Sequence, residues 1–281
     1  MMNYKTISVQ GTNVFYREAG TPGAPAIVLL HGFPTSSHMF RDLMPLLAAH
    51  FHVIAPDYPG FGYSDAPAPD SFQYTFDNLS LVIEEFLAAV GLERYSLYLQ
   101  DYGGPIGLRL ATRHPERIQA LILQNANAYN EGLSEAMELL NLYWTDRAMS
   151  EPAVRALLTR ATTTYQYTHG AHHPERISPD AYHHAQALLD RPGNDSIQLE
   201  LLFDYQHNVE LYPHWQTYLR EHQPPALIVW GENDPFFLPA GARAYLQDLQ
   251  NAQLHLLPGG HFILEEAHEE IASLITEFLT R

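Results

Sequence analysis

Short apolar runs alternate with helix-like stretches over most of this chain. Each run has the length of a buried strand and is followed by turn-forming residues. Helix-like patterns follow, for example over residues 37–49 and 75–90. This alternation predicts an α/β fold, with a mainly parallel sheet flanked by helices on both faces. The six apolar runs are residues 26–30, 52–55, 95–99, 121–124, 226–231 and 253–257.

Two segments depart from the alternation. At the start, strand-like segments on either side of Gly11 predict an antiparallel hairpin. Between residues 128 and 212 the pattern becomes helical, aromatic and rich in histidine. We therefore expect a core formed by residues 1–127 and 213–281, with an inserted helical cap at 128–212. A cap over the carboxyl ends of parallel strands is a common place for a ligand site.

The composition narrows the classes of function. The chain has 281 residues, 46% of them hydrophobic, which is enough for one α/β sheet with an inserted subdomain. Its 32 acidic and 15 basic residues give a formal charge of −17, which argues against a nucleic-acid partner. No apolar run reaches the roughly 18 residues of a membrane span, and the first residues lack the apolar core of a signal peptide. We therefore expect a cytoplasmic protein without a membrane partner, and the oligomeric state stays open.

The stretch from Tyr98 to Gly104 joins an apolar run to a helix-like pattern that continues to His114. Gly103 and Gly104 permit a tight turn, so Asp101 is expected on a strand-to-helix elbow, beside the free amides of the helix. The chain has no G-x-S-x-G motif and no cysteine, so a carboxylate is the one plausible nucleophile at this elbow. An aspartate after a strand is also a common helix cap, and the elbow alone leaves both roles open.

Two further loops follow apolar runs at the same predicted edge of the sheet. Asp234 comes after the run at 226–231, and His261 comes after the run at 253–257. Taken singly, Asp234 is also a candidate helix cap and His261 a candidate structural histidine. A nucleophile, an acid and a histidine in this chain order match α/β-hydrolase triads, which favours catalysis.

On these residues the chain resembles the α/β-hydrolase superfamily, and in particular its members with an aspartate nucleophile, the epoxide hydrolases and haloalkane dehalogenases. The segment His31-Gly32-Phe33-Pro34 is similar to the H-G-x-P oxyanion motif of the family, and residues 100–104 are similar to its elbow. The resemblance covers nearly the whole chain, whereas the cap aligns poorly.

The resemblance implies a two-step reaction. Asp101 would attack an alkyl carbon to form an ester, whose carbonyl is held by the backbone amides of Phe33 and Tyr102. His261, oriented by Asp234, would then activate the water that hydrolyses the ester. The expected partners are a small apolar organic substrate and water.

The motifs disagree about the leaving group. Haloalkane dehalogenases usually have tryptophan after the nucleophile and often asparagine in the oxyanion motif, where this chain has Tyr102 and Phe33. Fluoroacetate dehalogenases carry arginines after the nucleophile, where this chain has Tyr102 and Pro105. These differences favour epoxide hydrolysis to a diol, with carbon–halogen hydrolysis as the alternative. A noncatalytic, receptor-like hydrolase fold is a remote alternative, because every triad position is filled.

Epoxide hydrolases use cap tyrosines that donate to the opening ring oxygen. Tyr205 resembles the second tyrosine motif of that family, and Tyr143 lies at about the expected distance along the chain for the first. Tyr165 and Tyr167 compete with Tyr143 for this role. The chain has 17 tyrosines, so packing is the commoner role for any one of them. Tyr205 and Tyr143 are the candidate cap donors.

Several histidines of the predicted cap, His169, His172 and His173 among them, raise the question of a metal site. Loop histidines in an acidic chain are usually solvated, and the triad chemistry uses no metal. We therefore expect neither a metal nor a cofactor.

Overall fold

Eight strands form a single sheet in the computed structural model, which describes residues 1–281. The strands at its centre are fully buried, because their apolar runs leave no polar face for water. The strands are β1 (Met2–Val9), β2 (Thr12–Ala19), β3 (Ala26–Leu30), β4 (His52–Pro56), β5 (Tyr95–Gln100), β6 (Ile118–Gln124), β7 (Ala226–Gly231) and β8 (Gln253–Leu257).

The sheet is mainly parallel, as the sequence predicts. The strands lie in the order β1-β2-β4-β3-β5-β6-β7-β8. β1 and β2 form the predicted antiparallel hairpin, and β2 also pairs antiparallel with β4. All other pairs are parallel. The loops that leave the carboxyl ends of β3, β5, β6, β7 and β8 therefore meet at one edge of the sheet.

Helices cover both faces of the sheet. Successive residues of β3 point to opposite faces, so that Ile27 and Leu29 join one apolar cluster while Val28 and Leu30 join the other. No helix combines the length and the apolar character that crossing a membrane requires. The α-helices are α1 (Leu43–Leu47), α2 (Phe76–Ala89), α3 (Gly103–Arg113), α4 (Ala136–Thr145), α5 (Arg147–Val154), α6 (Arg160–Thr168), α7 (Pro179–Leu189), α8 (Asn194–Asp204), α9 (Gln206–His222), α10 (Pro239–Asp248) and α11 (Leu264–Thr280).

The helical pattern predicted over residues 37–49 forms two short helical segments instead of one helix. A 3₁₀ turn at Ser37–Phe40 precedes the short helix α1. The amide of Ser37 donates to the side chain of Asp57 at 2.7 Å, and Pro45 within α1 has no N–H to donate to a helical partner. The missing donor at Pro45 favours a break between the two segments, whereas the bond from Ser37 anchors the start of the first.

Six helices, α4 to α9, lie between β6 and β7, and we call this group the cap. The last of them, α9, runs through the predicted boundary at residue 212. Its second half is buried at Trp215 and Leu219, and the Trp215 ring faces the guanidinium of Arg109 on α3 at 5.5 Å. The proposed division at residue 212 would therefore fall within a helix that belongs partly to the core.

One turn of the cap, His169-Gly170, lies against the two loops that follow β7 and β8. The side-chain amide of Asn233 donates to the carbonyl of Gly170 at 3.2 Å. On the other side, a Cβ added to Gly260 would overlap the carbonyl oxygen of His169. The turn is thus in close backbone contact with both loops.

The close contact between α3 and β3 gives a test of the fold. A Cβ added to Gly103 would overlap the carbonyl oxygen of Leu30, and a strand backbone cannot move aside. We expect Gly103→Ala to lower the free energy of unfolding by about 2–3 kcal/mol. Gly104→Ala is the matched control, because its Cβ would lie 3.2 Å from Ala126. Urea denaturation measures both, and equal stabilities for the two variants would contradict this packing.

Candidate active site

Asp101 lies on the sharp turn between β5 and α3. Its φ is +48°, in the left-handed region that few residues other than glycine adopt and that aspartate tolerates better than most. The backbone amide of Asp101 donates to the carbonyl of Asn125 at 3.2 Å, which fixes the turn against the end of β6. A side chain at Gly32 would overlap Asp101, so that only glycine fits there. The turn therefore directs the carboxylate above the carboxyl ends of the strands.

Two backbone amides hold this carboxylate. The amide of Phe33 donates to Asp101 Oδ1 at 2.7 Å, and the amide of Tyr102 lies close enough to favour the charged carboxylate. Asp101 is 8% exposed. Burial raises its pKa, whereas His261 and the two amides oppose the rise, and the net pKa lies above the ordinary value. The two amides are those predicted from the sequence as the oxyanion hole.

His261 lies between the two predicted carboxylates. Its Nδ1 is 2.9 Å from Asp234 Oδ2, and its Nε2 is 3.8 Å from Asp101 Oδ2. In the neutral imidazole, the proton belongs on the Nδ1 that faces Asp234, which leaves the lone pair of Nε2 on the side of Asp101. Burial lowers the pKa of His261, but the charge and hydrogen bond of Asp234 and the charge of Asp101 outweigh this effect, and the net pKa is raised.

Backbone donors fix the orientation of Asp234. Its Oδ1 accepts hydrogen bonds from the amides of Phe236 at 2.8 Å and Phe237 at 3.1 Å. Its Oδ2 accepts from the side chain of Asn125 at 2.7 Å, in addition to facing His261. Both oxygens of the carboxylate therefore have hydrogen-bond partners, and Oδ2 is held at hydrogen-bonding distance from His261 Nδ1.

Three amide side chains that sequence reasoning missed complete this network. Asn125, at the end of β6, both donates to Asp234 and accepts from the amide of Gly231 at 3.1 Å. The amide nitrogen of Gln100 lies 3.3 Å from His261 Nε2. Gln124 donates to the carbonyl of His261 at 3.2 Å. The available signal was a polar amide directly at the carboxyl end of a buried apolar strand.

A cavity of about 100 Å³ lies over Asp101 and His261, between the sheet edge and the cap. It is small, because sites for drug-sized ligands measure about 300–1,000 Å³. Most of its lining is apolar, and it contains neither lysine nor arginine. The apolar walls include Met137, Leu140, Leu157, Leu202, Phe236 and Phe237.

Known proteins share this architecture. The family model for the alpha/beta hydrolase fold matches residues 25–268. The chain belongs to the α/β-hydrolase family. It is 43% identical over 284 residues to the uncharacterized hydrolase YNR064C of Saccharomyces cerevisiae, covering 98% of this chain and 97% of that protein. It is 30% identical over 270 residues to haloalkane dehalogenase 2 of Mycobacterium tuberculosis, covering 94% of this chain and 90% of that protein. The solved structure of epoxide hydrolase CorEH superposes with a TM-score of 0.79, covering 100% of this chain and 99% of that one. The two sequences are 17% identical, so this likeness supports only a shared fold.

The cap of this α/β-fold hydrolase brings one of the two candidate tyrosines to the cavity. Tyr205, between α8 and α9, is 4% exposed and lines the cavity beside Tyr102, with 6.0 Å between the ring centroids. Burial raises the pKa of Tyr205 well above its ordinary value, and Tyr212 and Asp101 add to the rise. The phenol is therefore protonated at neutral pH and able to donate.

Tyr143 does not line the cavity, and the expectation that it donates into the site needs correction. Its hydroxyl donates to the carbonyl of Leu199 at 3.4 Å, and its ring packs on Phe203 at 5.6 Å between centroids. Its competitors are placed no better. Tyr165 is 44% exposed, and Tyr167 stacks on Phe262 at 3.9 Å. The helical pattern of α4 was too weakly amphipathic to show which face meets the cavity.

The raised pKa of His261 can be measured directly. Removing the charge of Asp234 in Asp234→Asn leaves burial as the dominant influence, so we expect the pKa of His261 to fall by about one unit or more. NMR titration of the imidazole, assigned with His261→Gln, measures the pKa in both proteins. Glu84→Gln is the control, because Glu84 pairs with His114 instead. An unchanged pKa of His261 in Asp234→Asn would contradict the proposed ion pair.

Proposed function

We propose that this hydrolase opens a small uncharged epoxide to a diol through a covalent ester on Asp101. One observation carries the proposal. A buried carboxylate, held by backbone amides, shares a small apolar cavity with Nε2 of His261 and with the phenol of Tyr205. A carboxylate attacking an alkyl carbon forms an ester that water can cleave, whereas a serine would form a stable ether.

In the first step, Asp101 Oδ2 attacks a ring carbon, and the carbon–oxygen bond of the epoxide breaks. Oδ1 stays on the amides of Phe33 and Tyr102, where it becomes the carbonyl oxygen of the ester. The departing ring oxygen takes the proton of Tyr205. An alkoxide is a strong base and needs such a donor as it leaves.

In the second step, His261 Nε2 takes a proton from water, whose oxygen attacks the ester carbonyl carbon. The same amides stabilise the oxyanion, and the imidazolium then protonates the departing diol oxygen. The remaining proton on Asp101 returns through solvent to Tyr205, so that one epoxide and one water give one diol. Asp234 keeps the imidazole oriented and offsets its transient charge.

The two steps are linked by charge. The negative charge of Asp101 is one of the causes that raise the pKa of His261. Ester formation removes this charge and so lowers the pKa of His261, which leaves more of the imidazole neutral and able to accept a proton in the step in which it must be a base. The first step thereby prepares the second.

Carbon–halogen hydrolysis is the second candidate, because a relative that covers most of the chain is named haloalkane dehalogenase 2. It would use the same ester and the same base. Against it stands the lining of the cavity, which presents neither tryptophan nor asparagine to a halide. The hydroxyl of Tyr102, which follows the nucleophile, is fully enclosed by protein and therefore has no surface that a halide in the cavity could contact. It also has no hydrogen-bond partner.

Trapping the ester tests the proposal. We expect the wild type to convert butylene oxide to the diol, whereas His261→Gln should stop after the first step and gain the mass of one epoxide molecule. Intact-protein mass spectrometry measures the gain, and the double variant Asp101→Ala/His261→Gln is the control without a nucleophile. Bromide release from bromobutane without diol formation would favour the second candidate. Turnover by the wild type with no adduct in His261→Gln would remove His261 from the role of base.

The Tyr205→Phe variant distinguishes epoxide opening from halide release. With butylene oxide, Tyr205→Phe removes a donor used mainly in the transition state, so kcat should fall by roughly ten- to a thousandfold. The loss with bromobutane should be smaller, because a halide leaves without a proton. Tyr143→Phe is the matched control, since its hydroxyl lies outside the cavity. Full epoxide activity in Tyr205→Phe would leave the dehalogenase reaction as the better proposal.

A further inference from the structure

The proposed reaction leaves the side chains of Tyr102 and Gln166 without a role, and the hydroxyl of Tyr102 is fully enclosed, so Gln166 is the one that can reach a ligand. Gln166 lies on α6 of the cap and lines the same cavity as Asp101 and His261. It is 6% exposed, and its amide makes no hydrogen bond within the protein. Its amide atoms nevertheless keep some surface that water or a ligand can reach. Gln166 is therefore a buried amide in the wall of the cavity without a hydrogen-bond partner in the protein.

A buried amide without a hydrogen-bond partner in the protein is uncommon. Burying an amide without a partner destabilises a protein, and nearly all buried polar groups are therefore paired. The same cap shows the ordinary arrangement at Gln186, which accepts from Thr163 at 2.6 Å and donates to Asp190 at 2.7 Å and to the carbonyl of Leu158 at 3.1 Å. Gln166 lacks every such partner within the protein, so its hydrogen-bonding groups are left for what occupies the cavity, which is water in the free protein and a ligand in the complex.

The surroundings define the chemistry of that ligand group. No lysine or arginine lines the cavity, and the carboxylate of Asp101 would repel an anion. A cation would lose its hydration against mainly apolar walls. An amide offers one acceptor and one donor group, which match a neutral hydroxyl or carbonyl.

We propose that Gln166 hydrogen-bonds an uncharged oxygen group of the substrate, a hydroxyl or a carbonyl located away from the reacting carbon. The substrate class is then short epoxides that carry a second oxygen function, and simple alkene oxides are poorer substrates. This inference rests on the proposed function, because it concerns the part of the epoxide substrate that lies away from the carbon that Asp101 attacks.

Two epoxides of the same shape test the inference. Glycidol carries a hydroxyl where butylene oxide carries a methyl group. The wild type should favour glycidol in kcat/KM, and Gln166→Met should lower the glycidol-to-butylene oxide ratio by about ten- to a hundredfold. Methionine keeps the length of the side chain and removes only its hydrogen-bonding groups. Gln198→Met is the matched control, because Gln198 is a buried cap glutamine outside this cavity, and its ratio should equal that of the wild type.

Thermal unfolding supplies a readout that does not depend on turnover. Because Gln166 has no partner in the free protein, Gln166→Met should leave Tm unchanged or raise it by up to about 3 °C. A glutamine with a structural role would lower Tm when replaced. A lower Tm combined with an unchanged substrate ratio would overturn the inference.

The outcomes distinguish this inference from the proposed function. If the wild type opens both epoxides and Gln166→Met keeps the wild-type ratio, the inference fails while the proposed function stands. If the wild type opens neither but releases bromide from bromopropane, the proposed function fails, and bromoethanol against bromopropane tests Gln166 with the same hydroxyl-for-methyl exchange. An unchanged ratio there overturns the inference. Turnover of neither pair overturns both.

Discussion

The Asp101 carboxylate is a buried charge, and its stabilisation constrains the structure around it. Burial alone would favour the neutral acid, but the amides of Phe33 and Tyr102 and the imidazole of His261 favour the ionised form. These groups converge only because Asp101 adopts a left-handed backbone conformation. The same requirement excludes a side chain at Gly32, which would occupy the space of the carboxylate. The strain at one residue is thus compensated by contacts from its own turn and from two other segments, those of Phe33 and His261.

The register of the sheet transmits this constraint to the other strands. Asn125 at the end of β6 holds Asp234 beyond the end of β7, and it also accepts from the backbone of Gly231. Gln124 on β6 reaches the backbone of His261 beyond β8. The ends of three neighbouring strands are therefore cross-linked by amide side chains. A shift of one strand by one residue would reverse these side chains and separate the acid from the imidazole.

Sequence reasoning succeeded where the information is local. Apolar runs define the strands, and Asp101 follows one of them directly within a short turn motif. It failed where the answer depends on which face of a cap helix meets the core, as with Tyr143, because helices α4 and α6 carry aromatic residues on several sides. It also missed Asn125 and Gln166, since an amide side chain has no spacing rule and its role appears only when its partners, or their absence, are seen in three dimensions.

The turn at His169-Gly170 connects the cap to the loops that carry two residues of the predicted triad. It touches the backbone of the two loops that carry Asp234 and His261, through Asn233 on one side and Gly260 on the other. A cap that lifted at this side would carry both loops with it and pull the acid and the imidazole out of line with Asp101. The open and the reactive arrangements would then exclude each other.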